Sequence, residues 1–278
     1  MKRGLFFIVL VLQFSAIFSQ ANIKATPYDT LGTSQIRIIY EMTIIPDTLD
    51  RTIVDKRLML LEIGEQGFSR FTEYNNWKQD SISAIFTKDG KILDTDLIKV
   101  RRYGGRVYDR YQLLKSYPDA SHLQYIGFAG LDKFFYIEKT PDFDWQLSLK
   151  EQKIIGGYSC SLAIGKYAGR TYKVWYAPEI AISDGPWKLG GLPGLILEVT
   201  DETGEYTYTC ARIQKIKGFI AVQDMSTAYK TTRERFLKAF HRAKSDPGSV
   251  IQGLGDKIKG HKLNSKRKKH GYNPQEKY

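Results

Sequence analysis

The chain has 278 residues and a formal net charge of +12, with 42% hydrophobic and 13% aromatic residues. That is long enough for one large domain or two small ones and for an ample core. The charge is uneven: residues 255–278 hold eight Lys or Arg against Asp256 and Glu276, and residues 21–254 carry only +4, which argues against a nucleic-acid-binding domain.

The N-terminus reads MKRGLFFIVLVLQFSAIFSQA, with Lys2 and Arg3 ahead of an apolar run from Leu5 to Phe18 and small residues at Ser19 and Ala21. This is the pattern of a secretory signal peptide over residues 1–20, too short to span a bilayer comfortably. With no Cys after the apolar run, a lipid anchor is not expected. The mature protein is expected to be exported, periplasmic or extracellular, with outer-membrane association open.

Short strand-like runs separated by turn residues dominate residues 21–254. Thr33–Ile45 is rich in β-branched residues, and Lys56–Ile63 with Phe68–Tyr74 flank a GEQG hairpin signal. Ile82–Thr87 and Lys91–Leu93 flank Lys88-Asp89-Gly90, and Tyr108–Lys115 reads as a short helix. His122–Phe128 and Leu131–Lys139 follow. In Tyr158–Lys166 the residues Tyr158, Cys160, Leu162 and Ile164 fall on one face. Arg170–Tyr176, Leu195–Val199 and Tyr206–Ile216 complete the series.

The expected fold is one mainly β domain, an antiparallel sheet forming a sandwich or partly closed barrel. One C-terminal amphipathic helix is marked by a capping box at Thr231 and Glu234 and by Phe236, Leu237, Phe240 and Ala243, stopping at Asp246-Pro247-Gly248. Residues 255–278 read as a basic, loosely ordered tail, with weak contact to an anionic membrane surface as one role.

Chemistry-bearing patterns are few. The four His, at 122, 241, 261 and 270, lack the one-turn spacing of a zinc protease, so no metal or cofactor is expected. Neither a Gly-x-Ser-x-Gly elbow nor a phosphate-binding Gly-rich loop is present. Cys160 and Cys210 form a disulfide after export or remain buried thiols. The acidic groups Asp94/Asp96, Asp142/Asp144 and Asp201/Glu202/Glu205 sit in turn-like contexts where carboxylates cap local amides.

The densest cluster of special residues is GPWKLGGLPGLILEV, Gly185 to Val199. Leu192-Pro193-Gly194-Leu195 has the form of a type II turn, Gly190 and Gly191 permit unusual dihedrals, and Leu195-Ile196-Leu197 reads as a strand buried on both faces. Ser183-Asp184-Gly185-Pro186 is a second turn, so Trp187 projects from a short, stiff loop. The loop is expected to be foremost a fold determinant.

GLPGLI at Gly191–Ile196 resembles the signature of the GLPGLI family of exported bacterial proteins. FFYIEKTPDFDWQLS at Phe134–Ser148, the run Gly156–Leu189 and Leu60–Ile82 are similar to further family segments, and KRKKHGYNPQEKY is similar to its basic terminus. Ala181 departs from the Pro often found after Glu-Ile, and the Asn-Pro element is altered. The resemblance implies export and a β-rich fold, with no established activity, substrate or cofactor. It carries over Cys160, Gly169, Arg170, Trp175, Tyr176, Glu179, Gly185, Pro186 and Gly191–Ile196.

Three functional expectations follow. One is a non-catalytic binding or scaffolding module for a hydrophobic or peptide-like ligand, with Trp175, Tyr176 and Trp187 lining a groove and Arg170 or Glu179 orienting the ligand. A deep apolar pocket beside Trp187 would favour it. The second is a periplasmic hydrolase pairing Glu179 with Asp184. The third is an assembly subunit docking on an outer-membrane protein through a sheet edge or the tail.

Overall fold

The structure, a computed structural model, describes residues 22–25, 28–245 and 275–276. The signal-peptide reading, the helix stop at Asp246-Pro247-Gly248 and most of the basic segment lie outside the described residues. Strands β1 (Asn22–Lys24), β2 (Tyr28–Ile44), β3 (Asp55–Gly64) and β4 (Ser69–Glu73) lead into helix α1 (Tyr74–Phe86), strand β5 (Lys91–Leu93) and helix α2 (Asp94–Gly104). Then come β6 (Tyr111–Lys115), β7 (His122–Ala129), β8 (Asp132–Lys139), β9 (Gln146–Ile155), β10 (Tyr158–Tyr167) and β11 (Arg170–Ala177). The described core of the chain closes with β12 (Leu195–Asp201), β13 (Tyr206–Gln223), β14 (Tyr229–Lys230) and helix α3 (Arg233–Ser245).

Twelve strands form one sheet in the order β14-β8-β7-β6-β4-β3-β2-β13-β12-β11-β10-β9, and β1 pairs with β5 apart from it. Neighbours are antiparallel except β14, which runs parallel to β8. The edges β14 and β9 do not meet, so the barrel is not closed. The sheet instead folds over itself as a sandwich. Phe71, Leu113 and Leu123 from one half share a single apolar cluster with Ala163, Tyr172, Val174 and Tyr208 from the other. The fold pivots on β2 and β13, whose long pairing is interrupted by register shifts near Cys210, Lys215 and Ile220. Extra residues at such points bend a strand and raise its twist, which lets a wide sheet curl.

Alternation explains which side chains enter the sandwich. Leu113 joins the main core while Leu114, on the opposite face, joins a smaller cluster with Ile126 and Val222. In β12, Leu195, Ile196, Leu197 and Val199 are all buried, as expected of a strand covered on both faces. In β10 the alternation breaks. Cys160 and Leu162 are buried, but Ala163 is too and Ile164 is 39% exposed; the pairing irregularity beside them lies in β9, where Gln152 and Ser148 face the consecutive residues Ser161 and Leu162.

Three local expectations are corrected. Ile82–Phe86 is not a strand but the end of α1, with Thr87 as its C-cap, and α2 follows β5, which pairs with β1, with Asp94 and Asp96 in its first turn. There the carboxylates face the positive end of the helix dipole. Tyr108–Lys115 is not a helix: Tyr111–Lys115 forms β6, pairing with both β4 and β7. The cap of α3 is Thr232, whose hydroxyl accepts the Arg235 amide at 3.3 Å, because the Thr231 amide is taken by the Phe135 carbonyl beside β14.

Helix α3 lies across β7 and β8, with Phe236 buried against the rings of Tyr125, Phe134 and Tyr136. Burying a Phe contributes about 2–3 kcal/mol, the main anchor of this helix. Within the segment read as a solvated tail, Gln275 and Glu276 are described, and both sit against the sandwich.

Candidate functional site

The loop between β11 and β12 is pinned from inside. Lys115 Nζ, projecting from β6 in the other half of the sheet, donates to the Asp184 carboxylate, to the Gly185 carbonyl at 2.6 Å and to the Leu189 carbonyl at 3.3 Å. Burial lowers the Lys115 pKa, with Asp184 working against that fall. Trp145 Nε1 donates to the Gly190 carbonyl at 2.9 Å, and the Asp184 and Gly190 backbones bridge each other. A buried amine with three acceptors is fully used, so this contact is architectural.

The loop's exit differs from a type II turn. The Gly194 amide donates to the Leu192 carbonyl at 2.8 Å, closing a three-residue turn around Pro193, while the Leu195 amide donates to Ile180. Gly194 packs so closely that an added Cβ would lie 2.3 Å from the Ala177 carbonyl oxygen. Glycine is required there by contact with β11, which sequence did not show.

At the loop's apex Trp187 has φ of +52°, a conformation that a bulky residue rarely adopts. This aims its ring into the sandwich, where Tyr167 and Tyr172 lie 5.8 and 6.1 Å from it. Beside it opens a half-enclosed cavity of about 130 Å³. Its floor is Met42, Ile44 and Met59, and Phe236, Leu237 and Phe240 of α3 form its roof. Along one wall Tyr111, Tyr125 and Tyr136 stack in series at 5.5 and 5.1 Å with interplanar angles of 8° and 11°. Burial raises the phenols of Tyr111 and Tyr136 far above their ordinary range, so they stay neutral.

Charge is confined to the two ends of this aromatic slot. At one end Arg57 bonds Asp109 at 2.7 Å, Asp109 also takes Lys244 at 2.5 Å, and Glu73 accepts the Tyr108 and Asp109 amides. Burial raises the pKa of Glu73, and those two amides oppose the rise. At the other end Lys188, 1% exposed, lies 2.5 Å from both Glu138 and Glu276. Its ammonium is 5.5–5.8 Å from the rings of Trp187, Tyr136 and Tyr167. A cation among ring faces and carboxylates is stabilised by both.

Of the candidate site residues read from sequence, the structure brings only Trp187 to this cavity, beside Phe236, Leu237 and Phe240 of the expected helix stripe. Tyr176 fills the core at 4% exposure, and Trp175 lies half-buried between the Lys153 and Lys173 ammonium groups, each just under 6 Å from its ring. Arg170 is no ligand handle: it is buried and ion-paired to Asp201 and Glu205 at 2.5 and 3.0 Å. Glu179 is exposed and accepts the Ser159 amide at 3.3 Å, whereas Asp184 is buried against Lys115. The two carboxylates thus serve different neighbours and do not form an acid pair. Cys160 and Cys210 are free thiols, each pushed up to about 11 by burial, which makes them poor nucleophiles.

The residues missed from sequence are Lys188, the stacked tyrosines and Glu276. The available signal was a lone Lys next to Trp187 inside an otherwise apolar, Gly-rich stretch. Among the described residues no three His, Cys, Asp or Glu side chains group as a metal site, and no helix is long and apolar enough to cross a membrane.

The mainly antiparallel sandwich defines the class of fold. Its likeness to known proteins is narrow. A family model described as N-glycanase peptide, N-terminal domain, matches residues 142–235, a third of the chain that runs from before β9 into α3. The structure of PNGF-II in space group C2 superposes with a TM-score of 0.50 at 11% identity, covering 76% of this chain and 33% of that one. The P21 form gives 0.49 at 11% identity, covering 76% and 34%. The chain therefore spans about a third of the length of these solved relatives, and the likeness is one of fold. No curated protein is similar enough to match.

Proposed function

We propose that the protein is an exported, non-catalytic binding module of the GLPGLI type, whose aromatic cavity takes one apolar or aromatic side chain of a peptide-like ligand. The observation that carries this is the cavity beside Trp187, walled by stacked tyrosines and roofed by Phe236 and Phe240. Its volume of about 130 Å³ suits a single large side chain, well below the roughly 300–1,000 Å³ of sites for whole small molecules. Flat, rigid rings give such a site apolar contact at little entropic cost. The acid-pair hydrolase is disfavoured by the ion pair that occupies Asp184.

A second reading draws on the family model over residues 142–235, which describes an N-terminal domain of an N-glycanase peptide. In that reading the module presents glycopeptides to a glycan-processing partner, and the peptide cavity keeps the same role.

The test is a bead-displayed peptide library probed with the mature chain, followed by fluorescence titration of the enriched sequences. Enrichment of a buried aromatic or large aliphatic anchor is expected, with F240A weakening binding at least tenfold, about 1.4 kcal/mol. Indifference to F240A, or no enriched anchor, would remove the proposal. Tighter binding of the same peptides carrying an N-linked glycan would favour the second reading.

A further inference from the structure

The charged end of the cavity already holds a peptide segment, and it is the chain's own. The Gln275 carbonyl accepts the Tyr172 hydroxyl at 3.2 Å, and its side-chain amide and the Tyr208 hydroxyl bond at 3.0–3.2 Å. The next residue, Glu276, places its carboxylate between Lys188 at 2.5 Å and Arg233 Nε at 2.5 Å. Two consecutive residues thus use four groups from β11, β13, α3 and the signature loop, far from them in sequence.

Among the described residues, the cations at this end have two carboxylate neighbours, Glu138 and Glu276. Lys188 and Arg233 supply two cations, and Glu138 supplies one carboxylate, at 2.5 Å from Lys188 and 3.6 Å from Arg233. A buried ammonium is costly without compensation, and the Glu276 carboxylate, shared between Lys188 and Arg233, adds to what Glu138 supplies. Arg233 also stacks over Tyr167 at 5.6 Å, which fixes its fork toward the carboxylate. At the residue before Glu276, the Tyr172 hydroxyl reads only the backbone carbonyl, so Tyr208, bonded to the side-chain amide, is the group that selects glutamine.

We infer that this is a recognition site for a Gln-Glu step on a peptide, filled in cis by Gln275-Glu276 and open in trans to the same chemistry on an acidic peptide partner. The inference rests on the peptide-binding reading of the cavity and names its ligand class. Release of the cis segment and binding of the partner are then one exchange, with the apolar cavity holding a neighbouring side chain of the incoming peptide.

The experiment uses the full mature chain and a fluorescent synthetic peptide, YNPQEKY, matching Tyr272–Tyr278. Wild-type protein should bind it weakly, because the tethered segment competes at high effective concentration. E276Q should bind it at least tenfold more tightly, and adding K188M or R233Q should abolish the gain. A peptide with Gln in place of its Glu should bind none of them. Circular dichroism checks folding, and R233Q serves wherever K188M fails to fold. Equal affinity for wild type and E276Q, or binding indifferent to R233Q or to the peptide's Glu, overturns the inference. If a library peptide still binds in an F240-dependent way and YNPQEKY does not displace it, the cavity reading survives and only the cis occupant falls.

Discussion

Among the described residues, two largely buried ion-pair clusters each bring together two cations and two carboxylates, with Arg51 of the first cluster half-exposed. In the first, Arg170 and Arg51 meet Asp201 and Glu205; in the second, Lys188 and Arg233 meet Glu138 and Glu276. The Arg170 cluster is built from the start of β11, the end of β12 and the turn into β13. Its anions are further held by local groups, with Asp201 accepting the Tyr206 amide at 2.8 Å and the Thr203 hydroxyl at 2.6 Å. Among the described residues, these bonds join strand ends and connections of the sheet. The Lys188 cluster gathers a loop, β8, α3 and a residue near the chain's end, and it faces a cavity instead of a strand. Among the described residues, one cluster thus ties connections of the sheet to one another, and the other takes one carboxylate, Glu276, from outside the sheet.

The largest effect should come from R170M, which leaves Asp201 and Glu205 buried without their shared cation and should cost about 3–5 kcal/mol in guanidinium unfolding. A loss under about 1 kcal/mol would show that this cluster is as replaceable as the other. G194A tests the backbone that carries Lys188 to the cavity. Its methyl would meet the Ala177 carbonyl, and a loss of about 2–3 kcal/mol in thermal unfolding is expected.

K188M should cost less than R170M, about 1–2 kcal/mol, because Glu138 is 16% exposed and Glu276 lies outside the sheet and can turn to water. A cost matching R170M would erase the distinction between the clusters. The smallest effect belongs to the cavity's far end. Burial raises the Asp109 pKa, but Lys244 and Arg57 outweigh it, leaving it below the ordinary 3.8. A depressed carboxylate contributes stability above its unfolded pKa and loses it as pH falls through the lower folded value. D109N should therefore remove about 1 kcal/mol at neutral pH and flatten the acid limb of unfolding below pH 4, read by chemical denaturation across pH.

Much of the sandwich was legible in the sequence. Leu195–Val199 announced a doubly covered strand through an unbroken apolar run, and Phe236 and Phe240 announced the buried stripe of α3. Lys91–Leu93 was read correctly as a strand, but Ile82–Thr87 and Tyr108–Lys115 were misread because helix and strand compete closely in short segments, and for α1 it is packing against α2, β3 and β4 that decides for helix. The site was less legible. Trp187 stood out as an aromatic on a stiff loop, yet Arg170, Trp175 and Tyr176 shared its sequence neighbourhood and went elsewhere. Alternation sends Trp175 outward and Tyr176 inward, and Arg170 meets Asp201 only once β11 and β12 pair.

By itself the sequence determined a β-rich domain with a rigid, glycine- and proline-bearing loop ahead of a fully buried strand. These are local properties, set by steric limits on φ and by the period of apolar residues along a strand. Only the tertiary structure decided that the sheet folds over on β2 and β13, that Lys115 clamps the loop from the far half, and that Gln275 and Glu276 reach Tyr172, Tyr208 and Lys188. Those contacts join residues 67–103 positions apart in the chain, and no local rule couples charges or rings across such separations. Burial couples them, because an ammonium removed from water must find its carboxylate wherever the fold can supply one.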